Sequence, residues 1–266
     1  MNGSGRSTHL TTGVGMTERE VQVHASDGVL RLLIDRPESR NALNIAAFDI
    51  LAGALREGDR DPGVRCIVLG TANEHFSAGW DLNDESEPPE DEPHGYAALM
   101  LALEGCRKPI VAAVRGYAIG IGLTMLGHCD IVLIGESARL RAPFASLGLC
   151  PEAGSSWTFP ALIGPQATAE LFYTGRWLGA AEAVQRGIGT RLIPDADLLD
   201  EAMALAKEIA AQPLDSLLVT KFLLSAHRSQ RAGAARHVED LHFAQLMESE
   251  AHRNAVAAFT SKGKST

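Results

Sequence analysis

Apolar and polar residues alternate over 21–25, and a second apolar run at 29–34 follows Ser26-Asp27-Gly28, so the pair predicts a β-hairpin. Ile45, Phe48, Leu51 and Leu55 recur at helical spacing, and Asn44 just before them predicts a capped helix to about Gly58. Continuous apolar runs predict buried strands at 64–70, 109–114 and 131–134, with a short extended segment at 139–142. Helices are predicted at 96–105, from Gly164-Pro165 to about Tyr173, and at 180–187. Strands alternating with crossover helices give an α/β core. Beyond Pro194 the pattern is helical, at 198–211, 215–231 and 234–259. Leu217, Leu218, Phe222 and Leu223 in one of these helices, and Leu241, Phe243, Leu246 and Met247 in the next, need cover from the core or from another subunit. The residue pattern contains no internal repeat.

One stretch marks a strand-to-helix junction. The strand at 109–114 runs into Gly116-Tyr117-Ala118-Ile119-Gly120-Ile121-Gly122, and an apolar segment of helical period follows. Such a turn leaves backbone N–H groups unpaired at the positive end of a helix, where an anion or oxyanion can sit. By themselves these glycines serve equally well for close packing of a helix on a sheet. Phe76-Ser77-Ala78-Gly79-Trp80-Asp81-Leu82 is a second glycine-marked turn after a second strand. Together, two such turns can aim two N–H groups at one carbonyl oxygen, as an oxyanion hole requires.

A chain of 266 residues with 45% hydrophobic content has material for a substantial core. The formal net charge of −9 argues against nonspecific binding to nucleic acid or to an anionic membrane, and no run is long enough to span a membrane. Cys66, Cys106, Cys129 and Cys150 show no metal-ligand spacing, so no metal site is expected and they read as reduced residues of a cytoplasmic protein. Residues 1–16 read as a disordered N-terminal extension: 1–15 are rich in Gly, Ser and Thr without the apolar stretch of a secretory signal, and Met16 is an alternative start. Residues 17–195 are assigned to the core and 196–266 to a C-terminal helical region. The acidic, proline-rich 84–93 reads as a solvated loop.

Several motifs in order resemble the crotonase superfamily, the enoyl-CoA hydratase/isomerase group. They are Asp35-Arg36-Pro37-Glu38-Ser39-Arg40-Asn41-Ala42-Leu43-Asn44, the Phe76–Leu82 turn, Lys108-Pro109-Ile110-Val111-Ala112-Ala113-Val114, the turn at 116–122, and Ala142-Pro143-Phe144-Ala145-Ser146-Leu147-Gly148-Leu149. The resemblance covers roughly residues 20–260. It implies the ClpP/crotonase-like fold, with repeated ββα units and a C-terminal helical trimerisation region. It also implies an acyl-CoA thioester substrate, no separate cofactor because CoA is part of that substrate, and a homotrimer or a hexamer of paired trimers. Within it, the acidic loop corresponds to a wall of the acyl pocket that varies among family members.

Matched position by position, the resemblance puts the oxyanion-hole amides at Trp80 and Ile121 and the CoA contacts at Ser39, Arg40 and Ala78. Lys262 and Lys264 are weaker candidates for the 3′-phosphate of CoA. Where the family's hydratases carry two glutamates, this chain has Thr124 and Phe144. A hydroxyl and a phenyl ring cannot activate water and deliver a proton, so ordinary hydration is disfavoured. Leu149-Cys150-Pro151-Glu152-Ala153-Gly154 resembles the loop of peroxisomal-type Δ3,Δ2-enoyl-CoA isomerases, whose single catalytic glutamate matches Glu152. One carboxyl among Phe144, Thr124 and Leu149, the expected acyl pocket, suffices to move a double bond. The alternatives are an ordinary first-turn helix acid at Glu152, a hydratase or dehalogenase-like enzyme with relocated groups, and an acyl-CoA-binding homologue without catalysis.

Overall fold

The computed structural model describes residues 16–18, 20–84, 86 and 93–263. Apart from Met16, the expected disordered extension lies outside these residues, as do 85 and 87–92 of the acidic loop. Strand β1 (Met16–Glu18) pairs antiparallel with β2 (Val21–Ser26), which returns as β3 (Val29–Ile34). The hairpin turn is Asp27-Gly28, at φ 53° and 79°, with Ser26 opposite Val29, as the sequence predicts. Helix α1 (Ile45–Arg60) begins where the Asn44 side chain accepts a hydrogen bond from Ala47 N at 2.9 Å, and it buries Phe48, Leu51 and Leu55.

The chain then lays down β4 (Cys66–Thr71), α2 (Gly95–Gly105), β5 (Ile110–Val114), β6 (Tyr117–Ile119) and α3 (Ile121–Thr124). Next come β7 (Ile131–Gly135), β8 (Arg139–Arg141), α4 (Ser155–Ile163), α5 (Pro165–Thr174), β9 (Leu178–Gly179), α6 (Ala180–Arg186) and β10 (Arg191–Ile193). Among the described residues, seven strands form a sheet in the order β1-β2-β3-β4-β5-β7-β10, parallel from β3 onward, and β6, β8 and β9 form a smaller one. Strand pairs β5–β6 and β7–β8 each pass from the large sheet to the small one before a helical segment, which is the repeating ββα plan.

Both faces of the large sheet are covered at its centre, which is why β4, β5 and β7 read as unbroken apolar runs, whereas β2, near the edge, alternates. Ile67 and Leu69 of β4 face the main core with α1 and α2, while Cys66 and Val68 face α7 (Leu198–Ala210) through Ala202, Ala206 and Ala210. The chain ends in α8 (Leu214–Met247) and α9 (Glu250–Gly263).

The sequence pattern does not predict strands β1, β9 and β10, and it assigns Met16 of β1 to the disordered extension; three further elements differ from expectation. The stretch after Gly116 does not enter a helix directly: 117–119 pair on one edge with Ser77 and on the other with β8, and the helix that follows has four residues before a 3-10 turn at Met125–His128. Helix α4 escapes the sequence pattern because Pro160 lies inside it. The two helices expected at 215–231 and 234–259 are one 34-residue helix, and the break falls at Ser249, whose Oγ accepts from His252 N at 3.1 Å. Gly233 in mid-helix costs about 1 kcal/mol relative to Ala, and ion pairs on either side, Arg228–Asp130 at 2.9 Å and Arg236–Glu104 at 2.8 Å, offset it.

The loop between β3 and α1 is pinned by Asn41, which is fully buried at φ 59°. Its Nδ2 donates to Thr71 Oγ1 (2.8 Å) and His75 O (2.6 Å), and its Oδ1 accepts from Arg36 N (2.7 Å) and Asn73 Nδ2 (3.0 Å). Replacing it strands several buried polar groups at once. Asn41→Ala is expected to lower stability by about 2–4 kcal/mol in urea denaturation, with an unchanged m-value.

Candidate active site

The two glycine-marked turns lie side by side because their backbones pair. Ser77 N donates to Tyr117 O (2.8 Å), and Ile119 N donates to Ser77 O (3.0 Å). The approach is close enough that a β-carbon at Gly79 would sit 2.9 Å from Ile119 O, and one at Gly122 would sit 2.8 Å from Ser77 O. Leu43 N donates to Gly79 O and Asp81 N to Leu43 O, which uses the main-chain groups on either side of the Trp80 amide. Among the described residues, neither the Trp80 N–H nor the Ile121 N–H donates to a protein oxygen. Helix α3 is too short for a sizeable macrodipole, so what this junction offers is the direction of individual N–H groups.

Trp80 is 42% exposed, and its indole packs at 5.2 Å from the Phe48 ring and 6.0 Å from the Tyr96 ring. The adjoining loop is tied in through Arg40 O, which accepts from Ala78 N at 3.0 Å. The Ala78 N–H is therefore occupied, and its carbonyl is the group left for a ligand. Arg40 is exposed, whereas the Ser39 hydroxyl donates within its own loop to Arg36 O at 3.2 Å. The Lys262 side chain and Lys264 lie outside the described residues.

Glu152 is not a first-turn helix acid. It precedes α4 by three residues, is buried to 6% exposure, and is followed by Ala153 and Gly154, both left-handed at φ 60° and 67°. Thr124 Oγ1 donates to Glu152 Oε1 at 3.1 Å and also faces Gly120 O at 3.2 Å. The carboxyl is thus fastened to α3 three residues beyond Ile121. Burial pushes its pKa up to about 8; the Thr124 hydroxyl opposes the rise, and the Glu239 and Asp240 carboxylates add to it.

The expected acyl-pocket residues do not gather in one place. Phe144 and Leu149 line an apolar cavity of about 480 Å³ with Cys150, Pro151, Phe172 and Tyr173, and Phe144 meets the Phe172 ring edge-on at 6.0 Å. Thr124, Trp80, Ile121 and Glu152 do not line that cavity. Thr124 faces the carboxyl instead.

The enoyl-CoA hydratase/isomerase family model matches residues 24–266. The chain belongs to the enoyl-CoA hydratase/isomerase family. A solved enoyl-CoA hydratase/isomerase from Pseudoalteromonas atlantica superposes with a TM-score of 0.89 at 36% identity, covering 92% of this chain and 98% of that one, so the crotonase fold is established. Human enoyl-CoA delta isomerase 2 is 29% identical over 248 residues, covering 90% of this chain and 63% of that protein. A probable enoyl-CoA hydratase from Rhizobium meliloti is 30% identical over 253 residues, covering 94% and 98%. The family and its acyl-CoA chemistry follow, and relatives of both activities lie at similar identity.

Three residues that shape this family member's candidate site went unrecognised in the sequence. Tyr96 Oη accepts from Ala153 N (2.8 Å), His128 Nε2 donates to Ala153 O (2.7 Å), and Glu239 accepts from Gly154 N (2.6 Å) and Ser156 N (2.8 Å). The available signal was an acid, Glu239, in the helical stripe Ala232, Arg236, Glu239, Phe243, where a core-facing position is ordinarily apolar.

A buried carboxyl whose folded pKa exceeds its ordinary 4.5 contributes stability that is complete below 4.5 and is lost as pH rises through about 8. Glu152→Gln stays neutral throughout. Its Tm is expected to match wild type below about pH 4.5, to exceed it increasingly between there and about pH 8, and to keep a constant margin above that, as read by calorimetry.

Proposed function

We propose that this family member is a Δ3,Δ2-enoyl-CoA isomerase with Glu152 as its single acid/base group. The observation that carries this reading is the buried carboxyl of raised pKa bonded to the helical turn that bears the Ile121 amide, where the hydratase positions hold Thr124 and Phe144. The ionised carboxylate takes a proton from C2 of a 3-enoyl thioester. The electron pair moves into the dienolate, whose oxygen accepts hydrogen bonds from the Trp80 and Ile121 N–H groups. The protonated carboxyl then returns the proton at C4, giving the 2-enoyl thioester with atoms conserved. Each amide stabilises the developing charge by about 3 kcal/mol.

In this reading the exposed Arg40 guanidinium meets a CoA phosphate, the Ala78 carbonyl meets the nucleotide, and Ser39 shapes the loop between them. Phe144 and Leu149 wall the apolar cavity available to the acyl tail, and no cofactor beyond CoA itself takes part. Exposed Phe222 (66%), Leu223 (69%) and Leu241 (57%) on α8 support assembly into a homotrimer or a hexamer of paired trimers. Four free thiols support a cytoplasmic setting. Among the described residues, no helix is long and apolar enough to cross a membrane.

The deciding measurement incubates wild type and Glu152→Gln with 3-enoyl-CoA and 2-enoyl-CoA and resolves products by mass and retention. Wild type is expected to interconvert the two without mass change, with kcat/KM rising with pH through about 8, while Glu152→Gln loses at least about a hundredfold. Products heavier by one water, or equal rates in both proteins, would sink the assignment. Thr124→Val removes the bond that holds the carboxyl's pKa down and is expected to move the limb to higher pH.

A further inference from the structure

Three elements distant in sequence converge on the turn that follows Glu152. Ala153 holds a left-handed conformation that costs a residue with a β-carbon about 1 kcal/mol. Both of its main-chain polar groups are taken by side chains, Tyr96 from α2 and His128 from the turn after α3. The next two amides available, Gly154 N and Ser156 N, each donate to a different oxygen of the Glu239 carboxylate. Gly154 lies so close to α8 that a β-carbon there would sit 2.6 Å from Ala232 O. Strain of this kind persists where surrounding contacts over-determine the conformation.

Glu239 is itself 6% exposed, and no cation is within salt-bridge distance of it among the described residues. Arg236, one turn away, is committed to Glu104 at 2.8 Å and to Asp240 at 3.1 Å. Burying a carboxylate without a cation is costly unless it is well hydrogen-bonded. Its two short bonds to amides at the start of the nine-residue helix α4 fill that role.

We propose that Glu239 is a positioning residue: by gripping the Gly154 and Ser156 amides from α8, it holds the strained turn that keeps the Glu152 carboxyl turned inward against Thr124. Tyr96 is the second support. Its hydroxyl accepts from Ala153 N at 2.8 Å and its ring lies 6.0 Å from that of Trp80, so it also spaces the carboxyl-bearing turn from the oxyanion turn. The groups that set the Glu152 titration are Thr124 from α3 and the Glu239 and Asp240 carboxylates from α8, with Tyr96 facing it from α2. This inference rests on Glu152 being the acid/base group, and its test separates the two.

The test uses the full-length Glu239→Gln variant, whose side-chain amide nitrogen faces one of the two main-chain N–H groups that the carboxylate accepted from. Carbon-13 NMR of side-chain carboxyls, with Glu152 identified as the signal missing in Glu152→Gln, reads the titration directly. The expected result is a Glu152 midpoint lower by about one pH unit, because a like charge is lost and water reaches a loosened turn. The same variant is expected to lose about tenfold or more in kcat on 3-enoyl-CoA at nearly constant KM. A midpoint that moves while kcat stays at the wild-type value reports only the lost charge and overturns the proposal, as does an unchanged midpoint in a folded variant. Should Glu239→Gln not fold, Tyr96→Phe, which keeps the ring and deletes the hydroxyl, is judged by the same midpoint. If Glu152→Gln proves fully active, the isomerase reading fails while the NMR midpoint still decides the positioning role.

Discussion

Keeping a carboxyl out of water beside a single hydroxyl is the demanding arrangement in this molecule. An isolated buried carboxylate is disfavoured by several kcal/mol, and the group responds by holding its proton. Everything near Glu152 serves that condition. Thr124 supplies one bond, apolar residues 149–151 precede it, and a left-handed pair follows it and turns the chain back into the core. A carboxyl free to swing into solvent would titrate near its ordinary value and spend its time away from α3. Held inward, it titrates at about 8 and is protonated at neutral pH.

The Trp80 and Ile121 amides are fixed by a different device. Main-chain pairing between Ser77 and Ala118 locks two consecutive turns together, so the direction of these N–H groups is set by backbone geometry alone. Side chains at the two positions are therefore free to differ without disturbing what the main chain presents. Trp80 uses that freedom to pack its indole toward the Phe48 and Tyr96 rings.

Chemistry was legible in the sequence wherever it was local. The Ser26-Asp27-Gly28 turn, the Asn44 cap and the unbroken strands are each decided within a few residues, and the structure agrees with them. The ordered motifs likewise pointed to the family and fold. What escaped were outcomes decided across the chain. Residues 117–119 became a strand because partners wait on both edges. Helix α8 runs unbroken past Gly233 because its ion pairs reach Asp130 and Glu104, 98 and 132 positions away in sequence, and Glu239 meets Gly154 across 85 positions. A helix period cannot reveal an acid whose partners are amides in a loop that sequence leaves unplaced.

Helix α8 is built inside out. Its buried side chains are Lys221, Ser225, Ala232 and Glu239, and it docks through Asp130, Glu104 and the Gly154 turn, while Phe222, Leu223, Leu224 and Leu241 point away from the core. Thirty-four residues make a rod about 51 Å long. One side of that rod grips the turn beside the carboxyl and the other presents grease to its surroundings. A single stiff element thus carries both the exposed apolar surface and the contact that fixes the Gly154 turn, so a displacement of one is a displacement of the other.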